Sequence, residues 1–128
     1  MKYVYPAILT PEDGAYNVDF PDLPGCYTCG DDLADALHMA NDALSLWLCR
    51  SEEKNSPIPA ASRTVEAPEG STVSLILADT DQYRRRMYPE RSVRKTLTIP
   101  AWLNEAAEAR SVNFSQVLQE ALRERLSL

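Results

Sequence analysis

Residues 92–128 constrain the fold of this chain most, because they contain one strand pattern followed by two short helical patterns. The strand pattern ends at Pro100, which cannot donate to a β-ladder and favours the first turn of a helix. A lone strand leaves its backbone N–H and C=O groups unpaired, and two short helices bury little apolar surface. We therefore predict that a second copy of the chain completes this segment, in a homodimer or a higher even-numbered oligomer.

Side chains of the strand pattern alternate between two faces. The inward face carries Val93, Lys95, Leu97 and Ile99, and the outward face carries Arg94, Thr96 and Thr98. Two such strands, paired antiparallel, would form a ribbon that fits the major groove of B-DNA, about 12 Å wide. Arg can bridge guanine O6 and N7, and Thr can contact a base edge or a thymine methyl group. The outward face is therefore a candidate reader of DNA bases.

The first helical pattern occupies residues 101–110, and the second runs from about residue 113 to the end of the chain. Asn113 or Ser115 can cap the second helix. The free N–H groups at this helix start are predicted to bind a DNA phosphate, so Asn113 and Ser115 join the candidate DNA-binding residues.

This order of strand, proline, helix, small polar turn and second helix resembles the ribbon-helix-helix DNA-binding family over residues 92–126. The resemblance implies that Arg94, Thr96 and Thr98 face bases, within a palindromic operator. Lys95 departs from the family pattern, which usually has an apolar residue there. The alternative is that the Arg/Thr strand is only the solvated edge of an ordinary α+β domain.

Charge is distributed unevenly along the chain. Residues 1–80 contain four Lys/Arg and thirteen Asp/Glu, a net charge of −9, whereas residues 81–128 contain nine and six, a net charge of +3. Affinity for DNA comes largely from neutralised phosphates, so the cationic part is expected to approach DNA. The acidic part suits a basic protein partner, although acidity that only keeps the protein soluble is the plainer alternative.

The cysteine content favours a reduced, cytoplasmic protein without a metal or other cofactor. Cysteine occurs three times, an odd number, and the chain contains no apolar signal segment in residues 1–9 and no run of 18 apolar residues. Cys26 and Cys29 have the spacing of half a zinc site, but only Cys49 and His38 remain as further ligands. Cysteines packed in or near a small core are the simpler interpretation.

The acidic part, residues 1–80, predicts a β-β-β-α-β domain, so the chain as a whole is of the α+β class. Strands are predicted at residues 2–10, 15–20, 26–29 and 72–78, with a turn at residues 11–14 and a proline-bearing loop at residues 51–71. A helix is predicted from residue 33 to about Arg50. Its apolar stripe is Leu33, Leu37, Ala40, Leu44 and Trp47.

Residues 81–91 are predicted to link this domain to the C-terminal module at residues 92–128, either as a short helix or as a flexible segment. They include Arg84, Arg85 and Arg86 in a row. These three residues are candidates for contacts with the DNA backbone, although a solvated linker explains them equally well.

A second resemblance concerns the acidic domain. The motif Phe20-Pro21-Asp22-Leu23-Pro24-Gly25-Cys26, then Thr28, Gly30-Asp31 and a helix ending in Leu46-Trp47-Leu48, is similar to the HicB family of antitoxins. The loop Ser56-Pro57-Ile58-Pro59 fits the same pattern. The resemblance implies a truncated ribonuclease-H-like domain that blocks HicA, an mRNA-cleaving toxin with a double-stranded-RNA-binding-like fold and a catalytic histidine. It also implies that the C-terminal module represses the operon encoding both proteins.

Two alternatives from other functional classes remain open. A ribonuclease-H-like fold suggests a metal-dependent nuclease, with Asp19, Asp22, Asp31, Asp32 and Asp35 as candidate carboxylates. Capping and helix-dipole interactions explain the last three without a metal, so we predict no enzymatic activity and no catalytic residues. The other alternative is a ribbon-helix-helix regulator whose N-terminal domain senses a small molecule and has no toxin partner.

Overall fold

The chain begins with an antiparallel hairpin, in a computed structural model that describes residues 1–128. Strand β1 (Lys2–Glu12) pairs with β2 (Ala15–Asp19), and the loop between them is the pair Asp13-Gly14. Both loop residues have positive φ, 52° and 82°. An Asp-Gly pair accepts these angles readily and matches the twist of the flanking strands, so the hairpin follows from local sequence.

The hairpin is extended into a four-stranded antiparallel sheet in the order β3-β2-β1-β4. Strand β3 (Tyr27–Gly30) pairs with β2, and β4 (Thr72–Asp79) pairs with β1 over its whole length. Helix α1 (Leu33–Glu53) connects β3 to β4. The predicted β-β-β-α-β order and the α+β class are confirmed.

Helix α1 packs on one face of the sheet, and the core lies between them. The buried helix residues include Ala36, Ala40, Leu44 and Leu48, which meet Tyr5, Ala7, Leu9, Val18 and Ile76 from the strands. The predicted stripe was therefore partly wrong, since Leu33 and Leu37 are exposed. The helix turns its small residues towards the sheet near its start, which allows a close approach.

Gly30 is the point of closest approach between α1 and the sheet. A Cβ atom at this position would lie 2.3 Å from the backbone nitrogen of Ala36 and 2.4 Å from its Cα. Both distances are far below van der Waals contact, and both partners are backbone atoms. Only glycine therefore fits at the end of β3 while α1 keeps its position.

Residues 80–87 form a further helix, α2 (Thr80–Met87), which packs against α1. Tyr83 is buried and Arg84 forms an ion pair with Glu52 of α1. The segment predicted as a linker thus begins as a packed helix, one of the two forms considered. The chain folds as two compact units, Met1–Arg91 and Ser92–Leu128.

The second unit contains helices α3 (Ala101–Ala109) and α4 (Phe114–Leu126). Both predicted helices are confirmed, but residues 92–100 contain no strand in the single chain. The strand predicted here pairs with a second copy of the chain, so it stays a prediction, because a strand requires a paired neighbour and one chain offers none at this position. None of the helices is both long and apolar enough to cross a lipid bilayer.

Candidate functional site

The candidate base-reading residues Arg94, Thr96 and Thr98 all lie in the segment without secondary structure that precedes α3. Their side chains are exposed, as is every other side chain from Ser92 to Pro100. In the single chain this segment therefore presents the predicted residue types to solvent without ordering them in a ladder.

Asn113 caps α4, and it is one of the two residues predicted for this cap, the other being Ser115. Its side-chain oxygen accepts a hydrogen bond from the backbone N–H of Gln116 at 3.1 Å. Ser115 lies in the first turn of α4 and is exposed. The turn before the cap uses Ser111 in the left-handed region, with φ 52°, and the N–H of Val112 donates to the carbonyl of Ala107 at 3.1 Å. The start of α4 is thus a defined, solvent-facing helix N-terminus.

The second unit has no buried residue at all. Its large apolar side chains are exposed except for the half-buried Leu118, and Trp102 is 70% exposed and Leu97 57%. The others are Val93, Ile99, Leu103, Val112, Phe114, Val117, Leu122, Leu126 and Leu128. A segment with this much apolar surface and no core of its own gains most by association with another chain.

In the first unit, the motif from Phe20 to Cys26 folds into a tight loop. The N–H of Phe20 donates to the carbonyl of Cys26, and the N–H of Cys26 donates to the carbonyl of Leu23, both at 3.1 Å. All three side chains are buried in the core. Gly25 has φ 77°, in the left-handed region that favours glycine. The motif is therefore a self-bonded turn that inserts three apolar anchors.

The same loop holds the long connection between α1 and β4. The carboxylate of Asp22 accepts hydrogen bonds from the backbone N–H of Ser62, at 2.8 Å, and from its hydroxyl group. The Tyr5 hydroxyl donates to the carbonyl of Pro59, and Trp47 Nε1 donates to the carbonyl of Pro24 at 3.0 Å. Asp22, a candidate metal ligand, thus has a structural role as an anchor for this connection.

The three aspartates at the start of α1 also have structural partners. Asp32 caps the helix by accepting from the N–H of Asp35 at 2.7 Å, and Asp35 accepts in return from the N–H of Asp31 at 2.8 Å. This arrangement differs from a capping box, because Asp35 bonds the N–H of Asp31, the residue before the cap, and not that of Asp32. The structure contains no group of three or more His, Cys, Asp or Glu residues placed to hold a metal ion. The capping interpretation is confirmed for Asp32, and Asp35 adds a hydrogen bond to the residue before the cap.

The cysteines of the C-x-x-C pattern point to different environments, since Cys26 is buried and Cys29 is exposed. Burial, together with the nearby Asp19 carboxylate, raises the pKa of the Cys26 thiol to about 11. Burial also raises the pKa of Cys49. His38 is exposed on α1.

A polar cluster that the sequence did not indicate joins α1, α2 and β1. The Glu52 carboxylate accepts from Arg84 at 2.8 Å, and from the hydroxyl groups of Tyr3 and Thr80 at 2.9 Å each. Burial alone would raise the pKa of Glu52, but these three hydrogen bonds outweigh it and hold that pKa below its ordinary value. Burial and the hydrogen bond to Glu52 raise the pKa of Tyr3 to about 12.

Residues 81–91 belong to the first unit, so the charge of each unit differs from the values for a division after residue 80. The first unit, residues 1–91, contains eight Lys/Arg and fifteen Asp/Glu, a net charge of −7, and residues 92–128 contain five and four, a net charge of +1. Arg84 is engaged by Glu52, and Arg86 pairs with Asp42 at 3.3 Å. The second unit is therefore nearly neutral, and any DNA contact made by it depends on a few residues such as Arg94 and Lys95.

Comparison with known proteins gives a consistent result. The profile of the HicB-like antitoxin of bacterial toxin-antitoxin systems matches residues 5–121. The chain is 46% identical over 56 residues to antitoxin HicB 1 of Photorhabdus laumondii, and these residues are 43% of this chain and 36% of that protein. It is 27% identical over 81 residues to an uncharacterised 14.9 kDa protein from the rep-hol intergenic region of Haemophilus phage HP1, which covers 61% of each. The match thus spans less than two thirds of these curated relatives.

A solved structure extends the likeness to the whole chain. The fold is similar to a chain of a toxin-antitoxin complex from Streptococcus pneumoniae, with a TM-score of 0.59 and 26% identity, over 98% of this chain and 99% of that chain. This chain therefore combines the motif loop, the capped helix α1 and the following strand β4 with the sequence pattern that the profile describes. Because the profile matches almost the entire sequence, the protein belongs to the HicB-like antitoxin family of bacterial toxin-antitoxin systems.

Proposed function

We propose that this chain neutralises a HicA-type, mRNA-cleaving toxin and represses its own operon as a dimeric DNA-binding protein. The family match over residues 5–121 is the observation that carries the proposal. Its likeness to a chain of the Streptococcus pneumoniae toxin-antitoxin complex supports a toxin partner. By the same family likeness, residues 1–80 would be a truncated ribonuclease-H-like domain without enzymatic activity.

Neutralisation would use the acidic surface of the first unit. A protein that cleaves RNA needs a cationic surface for phosphates, and a unit with a net charge of −7 is attracted to such a surface. The exposed acids include Glu12, Asp13, Asp19, Asp31 and Asp32. Their carboxylates would occupy the space that RNA phosphates otherwise fill, which blocks the active site.

Repression would use the second unit after dimerisation. Two copies of residues 92–100 would pair as an antiparallel ribbon, and this pairing would cover Leu97 and Ile99 while turning Arg94, Thr96 and Thr98 towards the major groove. The N-terminus of α4, at Asn113 and Ser115, would bind a phosphate on each flank. The exposed apolar residues of this unit support the dimer, because they have no core within one chain.

The two roles are coupled if toxin binding changes the affinity for operator DNA. Such coupling is reciprocal, so operator DNA must then change the affinity for the toxin by the same factor. The test of the proposal has two arms. Expression of the chain should restore growth of cells that express the basic protein encoded in the adjacent reading frame. Purified chain should retard DNA from its own promoter, and failure in both arms would contradict the proposal.

A ligand-sensing regulator is the second candidate, and one observation favours it. A groove of about 460 Å³ lies between α1, the start of β3 and the loop after α1. Its lining includes Trp47, Arg50 and Lys54, and the last two are half of the four cationic residues in residues 1–80. The hypothesis of a ligand-sensing regulator predicts that an anionic small molecule raises the melting temperature of the purified chain. It also predicts that no toxin is encoded next to the gene of this chain.

A further inference from the structure

A groove of about 460 Å³ in the first unit follows the C-terminal half of α1. Trp47, Arg50 and Lys54 line it from one face of the helix, because they are three, four and seven positions apart. The rest of its lining includes Cys26 from the motif loop and Pro57 from the connection after α1. Its volume is in the range of small-molecule sites, about 300–1,000 Å³.

The charge of this groove is opposite to that of the unit around it. Its lining contains two cationic residues and no acid, although the first unit has a net charge of −7. Arg50 and Lys54 are exposed and form no ion pair, whereas Arg84 and Arg86 each pair with an acid. The groove therefore presents two uncompensated positive charges and suits an anionic ligand.

The carbonyl groups at the end of α1 are engaged, so they oppose an anion less than a free helix end would. Asn55 has φ 51°, in the left-handed region, and its N–H donates to the carbonyl of Glu52 at 3.2 Å. The N–H of Ser56 donates to the carbonyl of Ser51 at 2.9 Å. These two bonds form a Schellman motif, which satisfies carbonyls at the negative end of the helix dipole. The chain then turns so that Ser56 and Pro57 line the groove.

Trp47 supplies a flat apolar surface in the same groove. Its Nε1 donates to the carbonyl of Pro24 at 3.0 Å, which fixes the orientation of the half-buried indole ring. The rise along the helix from Trp47 to Lys54 is about 10 Å, close to the length of a nucleoside monophosphate. An inorganic phosphate alone would leave the apolar part of the groove unfilled.

We propose that this groove binds a nucleoside monophosphate, with the base against the indole of Trp47 and the phosphate between Arg50 and Lys54. A guanidinium group binds phosphate through paired hydrogen bonds, and an ammonium group binds it as a point charge. Aromatic side chains stack on any base. The inference names the ligand class for the groove of the ligand-sensing hypothesis, but it does not require that the ligand regulate DNA binding or exclude a toxin partner.

The test is an NMR titration of the full chain with adenosine 5′-monophosphate, followed through the indole N–H signals. The chain contains two tryptophans, Trp47 and Trp102, and Trp102→Phe assigns the signals by removing one of them. The Trp47 signal should shift and saturate, while the signal of Trp102, in the second unit, should not move. Adenosine and inorganic phosphate should each bind at least about tenfold more weakly than the nucleotide, because each makes only one of the two sets of contacts.

A double variant tests the phosphate contacts. Arg50→Gln with Lys54→Gln should lower the affinity for the nucleotide by at least about tenfold. Lys2→Gln with Arg63→Gln is the matched control, since it also removes one exposed lysine and one exposed arginine but neither lines the groove. The control should bind the nucleotide as the original chain does.

Three results would overturn the proposal. They are a Trp47 signal that stays in place up to about 10 mM nucleotide, an equal response to inorganic phosphate alone, and an equal loss of affinity in the two double variants. A response to single-stranded RNA without one to the mononucleotide would also overturn it and would assign the groove to RNA. Toxin inhibition is measured separately, so failure here leaves the proposed function standing.

Discussion

Replacement of Gly30 by alanine should destabilise the first unit, because α1 crosses β3 at this residue. The added Cβ would lie 2.3 Å from the nitrogen of Ala36 and 2.8 Å from the carbonyl carbon of Asp35. Separation by about 1 Å is needed to restore ordinary contact. Neither neighbour is the end of a flexible side chain, so the start of α1 must move as a whole.

The expected cost can be worked out from its parts. Overpacking of this kind costs about 1–3 kcal/mol, and displacement of the helix start weakens the Asp32 cap, worth about 1 kcal/mol. Alanine restricts the unfolded chain more than glycine, which returns about 0.5–1 kcal/mol. We therefore expect the free energy of unfolding to fall by about 1–3.5 kcal/mol, a large part of the stability of a small domain.

Urea denaturation followed by far-UV circular dichroism measures this loss. Cys29→Ala is the matched control, since Cys29 is the preceding residue in β3 and is exposed. It should change the free energy of unfolding by less than about 0.5 kcal/mol. A Gly30→Ala variant as stable as Cys29→Ala would refute the close approach of α1 to β3.

Three further predictions concern other parts of the chain. Glu52→Gln should lower the free energy of unfolding at neutral pH by about 1–3 kcal/mol, since it weakens three hydrogen bonds to a carboxylate. The folded-state pKa of Glu52 lies below its unfolded value, so the contribution of Glu52 to the free energy of unfolding is complete above about pH 4.3 and is lost as pH falls through the folded pKa. Denaturation of the original chain and of Glu52→Gln from neutral to acidic pH checks this. A difference in the free energy of unfolding that stays constant with pH would contradict it. Arg94→Ala should weaken operator binding by about 1–3 kcal/mol per subunit and relax sequence preference, while toxin inhibition is unchanged. Gel-shift titration tests this, with Arg94→Lys as a control that keeps the charge but loses the bidentate geometry. Unaltered affinity of the alanine variant for the operator would exclude Arg94 as a base contact. At about pH 8, only Cys29 should react quickly with a thiol reagent, because burial raises the pKa of the other two thiols; equal rates for all three would show that Cys26 and Cys49 are accessible.

Local signals explain the parts of the fold that the sequence predicted correctly. The hairpin was predicted from turn chemistry and alternation, and the Asp13-Gly14 pair adopts the positive φ angles that such a turn requires. Likewise, the acids before α1 and Asn113 before α4 act as caps, because capping depends on residues only three positions apart. Such interactions lie within one turn of the chain and can be read without knowledge of the tertiary structure.

The parts that the sequence left open or predicted wrongly depend on distant contacts. A short helix was one of two forms predicted for the segment that contains α2, and the contacts that fix it involve Glu52 and Tyr3, which lie 32 and 81 residues before Arg84 in the sequence. The stripe of α1 was displaced because periodicity does not say which of two adjacent rows faces the sheet. The close crossing at Gly30 selects the row that contains Ala36 and Ala40.

The strand predicted at residues 92–100 differs from these cases, because its partner would be another molecule. The residues that read as its inward face, such as Leu97 and Ile99, are exposed in one chain. No property of a single chain can pair them. The candidate DNA-binding residues Arg94, Thr96 and Thr98 therefore remain predictions that depend on dimerisation.

The proposed function depends above all on inhibition of a toxin by direct binding of this chain. The most direct measurement is the rate of RNA cleavage by the purified protein encoded in the adjacent reading frame, titrated with the full chain. We predict that cleavage falls in proportion to added chain and stops at a fixed stoichiometric ratio, and that high salt weakens the inhibition, because the proposed interface joins an acidic surface to a cationic one. Cleavage that continues unchanged with the chain in excess would refute inhibition by direct binding.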